Sequence, residues 1–104
     1  MEIRLLSRTP SGIPAQTELD DGIIYYEEQS SGLGIGFLDE ILETFKRIKL
    51  NPDAWAPFSK RTRRCLVHRF PYGIIYQIRK NEILIIAISH QHRKPDYWKD
   101  RINP

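Results

Sequence analysis

The chain has 104 residues, of which 40% are hydrophobic and 28% are charged, and its formal net charge is +3. This length allows one domain with a single two-layer core, and the apolar fraction excludes stable disorder. No apolar run approaches the roughly 20 residues that cross a bilayer, and the first residues lack the layout of a signal peptide. The one cysteine, Cys65, has no partner for an internal disulfide, which is typical of a reducing compartment. We therefore expect a single domain over residues 1–104 that works in the cytoplasm and contacts no membrane.

The net charge understates how unevenly the charged residues are distributed. Residues 60–104 hold eleven Lys and Arg and three acids, which gives +8, whereas residues 1–59 hold five Lys and Arg and ten acids, which gives −5. A basic half of this kind attracts nucleic acid or an acidic protein segment. The alternative is that these charges are solvated side chains with no partner.

The hydrophobic pattern of the first half predicts one short strand and then two helices. Residues 3–6 suit the strand, and the Pro- and Gly-containing segment 9–12 ends it. Helices are predicted over residues 14–30 and 34–50, where apolar residues recur at helical spacing. Gly22 in mid-helix costs about 1 kcal/mol relative to Ala, which predicts close packing there. Because only a few residues separate the helices, they form an antiparallel hairpin.

Three strands are predicted in the second half, after an irregular segment at residues 52–62. They span residues 64–70, 74–79 and 83–89, and the last contains six consecutive apolar residues, which is typical of a strand buried on both faces. The element order is β-α-α-β-β-β. The predicted fold class is α+β, with a helical hairpin packed on a small, twisted, antiparallel-rich sheet.

His90, His92 and Arg93 follow the last strand and are the candidates for catalysis. A histidine titrates near neutral pH and can take a proton from a ribose 2′-OH, and an arginine can stabilise charge on a phosphoryl oxygen. The alternative is that all three are exposed polar residues at a strand end. No carboxylate or thiolate stands at ligand spacing from the histidines, so we expect no metal site.

Basic and aromatic residues of the second half are the candidates for binding a macromolecule. Cationic side chains hold phosphates through charge-assisted hydrogen bonds or dock an acidic partner, and aromatic rings stack on bases. The competing interpretation is solvated charges, with Trp98 as a core or lid residue. The candidate binding residues are Lys60, Arg61, Arg63, Arg64, Arg69, Arg93, Lys94, Tyr97 and Trp98.

Residues 17–98 contain a series of short stretches whose order and spacing are distinctive. They are Tyr25-Tyr26-Glu27-Glu28-Gln29-Ser30, Gly32-Leu33-Gly34, Phe37-Leu38-Asp39-Glu40, Ile48 with Asn51-Pro52, Arg64 with Leu66, Arg69-Phe70-Pro71-Tyr72-Gly73-Ile74-Ile75-Tyr76, Ala87-Ile88, and His90 with Arg93, Pro95 and Tyr97-Trp98. Together they resemble the RelE/ParE family of toxins from type II toxin–antitoxin systems. Residues 1–16 fit less well, because the segment 9–14 is richer in Pro and Gly than the usual entry into the first helix.

The resemblance implies the β-α-α-β-β-β fold and a growth-inhibiting protein that a cognate antitoxin neutralises, as in plasmid stabilisation systems. It implies no metal and no small-molecule cofactor. An acidic, partly apolar antitoxin segment that folds on contact suits the basic half of the chain.

The family divides by target, and Gly73 decides between the branches. RelE-like members cut mRNA on the ribosome without a metal, whereas ParE-like members block DNA gyrase and need no nuclease activity. In the RelE-like branch an arginine commonly follows the tyrosine that opens the middle strand of the hairpin. Here that tyrosine is Tyr72, and Gly73 supplies no charge. We therefore predict a ParE-like gyrase inhibitor that is not an enzyme.

Two alternatives stay open. His90 and Arg93 match catalytic positions of RelE-like relatives, which leaves a ribosome-dependent mRNA endoribonuclease as the second hypothesis. The unusual segment 9–14 leaves a third, a relic that has lost its toxicity but still binds an antitoxin.

Overall fold

The architecture comes from a computed structural model that describes residues 1–7 and 14–102. The predicted fold class, α+β with a helical hairpin on an antiparallel-rich sheet, is confirmed. The predicted breaker segment 9–12 lies outside the described residues. In the part of the chain that is described, no helix is long and apolar enough to cross a membrane. The elements are β1 Glu2–Leu5, α1 Ala15–Gln29, α2 Leu33–Leu50, β2 Ala56–Pro57, β3 Arg63–Leu66, β4 Tyr72–Arg79, β5 Glu82–His90 and a 3-10 turn, Lys99–Arg101.

The strands form one mixed sheet in the order β1-β5-β4-β3-β2. β1 is parallel to β5, from Glu2 opposite Glu82 to Leu5 opposite Ile85, and the other neighbours are antiparallel. β2 lies in a segment that we predicted to be irregular. Its two residues are too few to show a periodic pattern, and Pro57 is tolerated because β2 is at the edge of the sheet.

β3 ends at Leu66, four residues before the predicted end, because the chain turns early. Arg69 adopts the left-handed backbone conformation, with a φ of 70°. The Tyr72 N–H donates to the Phe70 carbonyl (2.8 Å), and the Val67 N–H donates to the Tyr72 carbonyl (2.9 Å). The apolar residues that extended the strand pattern therefore belong to the turn.

β5 is buried on both faces, as predicted, because Ile83–Ile88 are each 1% exposed or less. The pairing with β4 shifts by one residue between Ile75 and Tyr76, which leaves Ile86 without a partner on β4. This β-bulge reverses the alternation of side chains beyond it. As a result, Ile88 packs in the helix-side core, whereas the two residues before it pack on the opposite face.

The antiparallel helices α1 and α2 pack closely at two glycines. A Cβ atom at Gly22 would lie 2.6 Å from Phe37 Cε2, and one at Gly34 would lie 2.7 Å from the Ile23 carbonyl oxygen. The carboxylate of Glu27 accepts a hydrogen bond from the Gly34 N–H (3.1 Å), so α1 satisfies an open N–H at the start of α2. The close packing predicted at Gly22 is confirmed.

One carboxylate, Glu18 in the first turn of α1, joins the helix to β5 and to the tail, which we define as residues 91–102. It accepts hydrogen bonds from Arg101 Nη1 (2.7 Å), from the Ile88 N–H (3.0 Å) and from the Tyr97 hydroxyl. Arg101 Nη1 also donates to the Ile86 carbonyl (3.0 Å). The Arg101 and Glu18 side chains are 4% and 10% exposed, so this ion pair is buried.

Among the described residues, the Glu18 network lies where no further strand pairs with β5 on the side of β1. The contact between β1 and β5 ends with a hydrogen bond from the Leu6 N–H to the Ile85 carbonyl (2.8 Å). Beyond that point, side chains instead of a strand satisfy the backbone of β5. Because an unsatisfied buried backbone group costs about 1–3 kcal/mol, Glu18 and Arg101 complete this edge of the sheet and hold the tail against it.

We expect Gly22→Ala to lower the free energy of unfolding by about 1–3 kcal/mol, because the added methyl group overlaps the Phe37 ring. The matched control is Gly36→Ala in α2, where a Cβ meets nothing within 4 Å. That exchange should stabilise the protein by about 0.5–1 kcal/mol through helix propensity. Urea unfolding measures both, and a gain in stability for both variants would contradict close packing at Gly22.

We expect Arg101→Met to destabilise the protein by about 3–5 kcal/mol, because it leaves the Glu18 carboxylate buried without its cation. The matched control is Arg4→Met, which removes an exposed arginine that binds Glu82 through two hydrogen bonds. The control should change stability far less, because solvent screens that pair. If urea unfolding shows that both variants lose the same free energy of unfolding, burial does not make the Glu18–Arg101 pair more important than the exposed pair.

Candidate functional site

A groove opens on the sheet face that is turned away from the helices, where the ends of β3, β4 and β5 meet the tail. Its volume is about 100 Å³. Two arginines from different elements and one histidine contribute to its walls, so we call it the basic groove. Its lining includes Phe58, Arg64, Leu66, Gly73, Ser89, His90, Arg93 and Pro95.

Strand alternation directs Arg64 into the basic groove. In β3, the side chain of Cys65 is buried in the helix-side core, so its neighbours Arg64 and Leu66 point to the opposite face. The Arg64 guanidinium carbon lies 4.5 Å from the centroid of the Phe58 ring. This cation–π contact holds the side chain and leaves its N–H groups open.

Arg93 reaches the same groove from the tail. Its N–H donates to the His90 carbonyl (3.0 Å), which closes the turn after β5. Its guanidinium carbon lies 4.0 Å from the centroid of the Tyr97 ring, and Tyr97 is itself anchored by its hydroxyl to Glu18. Among residues 1–7 and 14–102, neither Arg64 nor Arg93 has a side-chain hydrogen bond or an ion pair. Both guanidinium groups are therefore oriented by rings and free to bind an anion.

His90 is held between two aromatic rings at the edge of the groove. Its ring lies 5.1 Å from that of Tyr72 and 4.9 Å from that of His92, both edge-on. Its Nδ1 accepts a hydrogen bond from the His92 N–H (3.0 Å), so the neutral ring carries its proton on Nε2. Burial, and to a lesser degree the electrostatic effect of the neighbouring His92, lower the pKa of His90. At neutral pH the uncharged ring therefore dominates, and its basic nitrogen is already engaged.

His90 and Arg93 also line a second, helix-side cavity of about 260 Å³. Its other walls include the acids Glu18 and Asp21 of α1 and the ring of Tyr72. Burial, followed by the neighbouring Tyr26, raises the pKa of Tyr72 to about 12, so this phenol stays protonated. His90 and Arg93 thus stand on the rim that separates an acidic cavity from the basic groove.

Lys60 and Arg61 do not line the basic groove but the cavity next to it. This larger cavity, of about 490 Å³, shares Phe58 and Pro95 with the groove. Lys94 is exposed on the tail. The basic surface predicted from the sequence is therefore partly assembled, with Arg64 and Arg93 in one groove and two further cations beside it.

Three predicted binding residues lie elsewhere. Arg63 alternates to the helix side of the sheet, where its Nη1 donates to the carbonyls of Trp55 (2.8 Å) and Asp53 (3.1 Å). Arg69 lies in the turn after β3, with its guanidinium 5.6 Å from the Phe70 ring. Trp98 is 4% exposed and packs in the core on the opposite face of the sheet, so its ring is not available for stacking and the core interpretation fits it.

Sequence reasoning missed three residues that support the two arginines, namely Glu18, Arg101 and Phe58. Glu18 and Arg101 are 83 residues apart, and no local pattern connects an acid in a first helical turn with a cation near the C-terminus. Phe58 stands in a segment without periodicity, so nothing marked it as the ring under Arg64. Tyr97, which supports Arg93, was among the predicted binding residues, although as a ring that stacks on bases.

Comparison with known proteins is consistent with this architecture. A model of the family described as the ParE toxin of the type II toxin–antitoxin system, parDE, matches residues 14–95. Among solved structures, a chain of the chromosomal ParDE toxin–antitoxin system from P. aeruginosa superposes with a TM-score of 0.70 at 18% sequence identity, covering 86% of this chain and 95% of that one. No curated protein sequence matches significantly. The fold, the family model and the resemblance seen in the sequence agree, and the chain belongs to the ParE toxin family of type II toxin–antitoxin systems.

Proposed function

We propose that this ParE toxin inhibits growth by binding DNA gyrase and that a cognate antitoxin neutralises it. The observation that carries the proposal is the basic groove, in which Arg64 and Arg93 are each oriented by an aromatic ring and have no acceptor among the described residues. Such a preset pair of cations suits an acidic macromolecular surface. Inhibition of this kind needs no chemical reaction, because binding of the toxin alone blocks the target.

The state of His90 supports binding over catalysis. A general base needs a free basic nitrogen within reach of the proton that it removes. The Nδ1 of His90 already accepts a hydrogen bond from the His92 N–H. The neutral ring therefore offers a donor, which suits recognition of an oxyanion.

The antitoxin partner follows from the family and from the charge distribution. The second half of the chain carries +8, and its basic groove and the neighbouring cavity combine cations with apolar surface from Phe58 and Pro95. An acidic, partly apolar antitoxin segment that folds on contact matches that combination.

The purified toxin should inhibit negative supercoiling by DNA gyrase, and Arg93→Ala should weaken the inhibition about 30-fold or more, which corresponds to the roughly 2 kcal/mol of a desolvated interface charge. Arg79→Ala is the matched control, since Arg79 is exposed at the opposite end of β4. Its inhibition should stay within about twofold of the wild type. Unaffected supercoiling at saturating wild-type toxin would reject gyrase as the target.

A second candidate function is cleavage of mRNA on the ribosome without a metal. It is favoured by one observation, that His90, Arg64 and Arg93 line the same groove. Mapping of mRNA 5′ ends after induction separates the two functions, and the gyrase proposal expects no new ends in translated messages. If new ends appear with the wild type and vanish with Arg93→Ala, the nuclease function would replace the gyrase proposal. Normal growth after strong expression without antitoxin would instead support a non-toxic relic.

A further inference from the structure

Gly73 in β4 is a glycine for reasons of space and not of backbone conformation. Among the described residues, the glycine with a positive φ is Gly32, so the backbone of Gly73 suits any residue. Glycine inside a strand weakens it and often marks the close approach of another group. At Gly73 that group is Arg64, because a Cβ atom would lie 3.0 Å from Arg64 Cδ and 3.2 Å from Arg64 Cγ.

The register of the sheet explains this approach. Gly73 pairs with Leu66 of β3 and with Ser89 of β5, while Arg64 pairs with the next residue but one, Ile75. Side chains directly opposite each other share a face, so Arg64 and position 73 are diagonal neighbours on the face that carries the basic groove. The aliphatic stem of Arg64 lies across the empty position and brings its guanidinium to the Phe58 ring.

We infer that Gly73 is a positioning residue, whose missing side chain lets Arg64 lie across β4 into the basic groove. There Arg64 and Arg93 together form one site for a carboxylate of an acidic partner segment. The inference deepens the proposed partner-binding function and rests on it for the identity of the partner. Two guanidinium groups suit one carboxylate because each offers planar N–H donors in a fixed geometry. The groove volume of about 100 Å³ is that of a few water molecules, enough for one such group.

The substitution that tests this inference should leave the fold intact. A methyl group at position 73 meets the middle of a flexible side chain and no backbone atom, so the stem of Arg64 can swing away at little cost. Alanine and valine also suit a strand better than glycine does. Gly73→Ala should therefore move Arg64 without lowering the stability, and Gly73→Val should move it further.

The first readout is the position of Arg64 itself. In NMR spectra the Nε–H signal of Arg64 senses the ring current of Phe58, and we expect it to shift in Gly73→Ala and to shift more in Gly73→Val. The Gly36→Ala control should leave it unchanged, because a Cβ at Gly36 meets nothing within 4 Å. An Arg64 signal that stays in place in both position-73 variants would overturn the inference.

The second readout is binding of a capped hexaglutamate peptide, measured in a double-mutant cycle. Gly73→Ala and Arg64→Ala should each weaken binding by about fivefold or more. The double variant should bind no more weakly than Arg64→Ala, because without the arginine the added methyl group has nothing to displace. Additive losses, or unchanged binding by Gly73→Ala, would refute the positioning role.

The same variants keep this inference distinguishable from the gyrase proposal. If the wild type does not inhibit supercoiling, the proposed target fails, while the NMR and peptide results still decide the role of Gly73. If the wild type inhibits supercoiling but the peptide cycle is additive, the positioning role fails alone. Inhibition that weakens in Gly73→Ala and not in Gly36→Ala supports both.

Discussion

The Glu18 carboxylate is the contact on which the arrangement of the candidate site depends. Its side chain is 10% exposed, and three donors converge on it, the Ile88 N–H of β5 and the Tyr97 and Arg101 side chains of the tail. A buried ion pair is favourable only where such additional hydrogen bonds offset the loss of hydration. Here the same bonds also close the open edge of β5. The network therefore satisfies the backbone of β5 and holds the tail against this edge of the sheet.

The Glu18 network is connected to the basic groove through the ring of Tyr97, and a second ring, Phe58, supports the groove as well. Tyr97 is held by Glu18 and carries the Arg93 guanidinium on its face, while Phe58 does the same for Arg64 from the other side. Both arginines are thus restrained by rings, and neither forms an ion pair with a carboxylate among the described residues. Side-chain entropy that a flexible cation loses on binding is partly lost already in the free protein, which is how a preset groove gains affinity.

The geometry of the basic groove is the reason that we propose action by occupancy of a target. Surface charges alone steer a partner, whereas charges that are held in place also discriminate between partners. The acidic cavity on the helix side of His90 and Arg93 adds an opposite charge directly beside the groove.

The sequence by itself determined the order of the elements, the two-sided burial of β5, the close packing at Gly22 and the family, because periodicity, glycine in a helix and ordered motifs are local signals. It also marked Arg64 and Arg93, but it grouped them with Arg63, Arg69 and Trp98, which the fold sends elsewhere. Only the tertiary structure decided which of these share a surface, since alternation in β3, the early turn at Arg69 and the Glu18–Arg101 contact depend on residues far apart in the chain. Gly73 shows the difference most clearly. In the sequence it is a position that lacks a charged side chain. In the sheet it is the space that the side chain of Arg64, from the neighbouring strand β3, occupies.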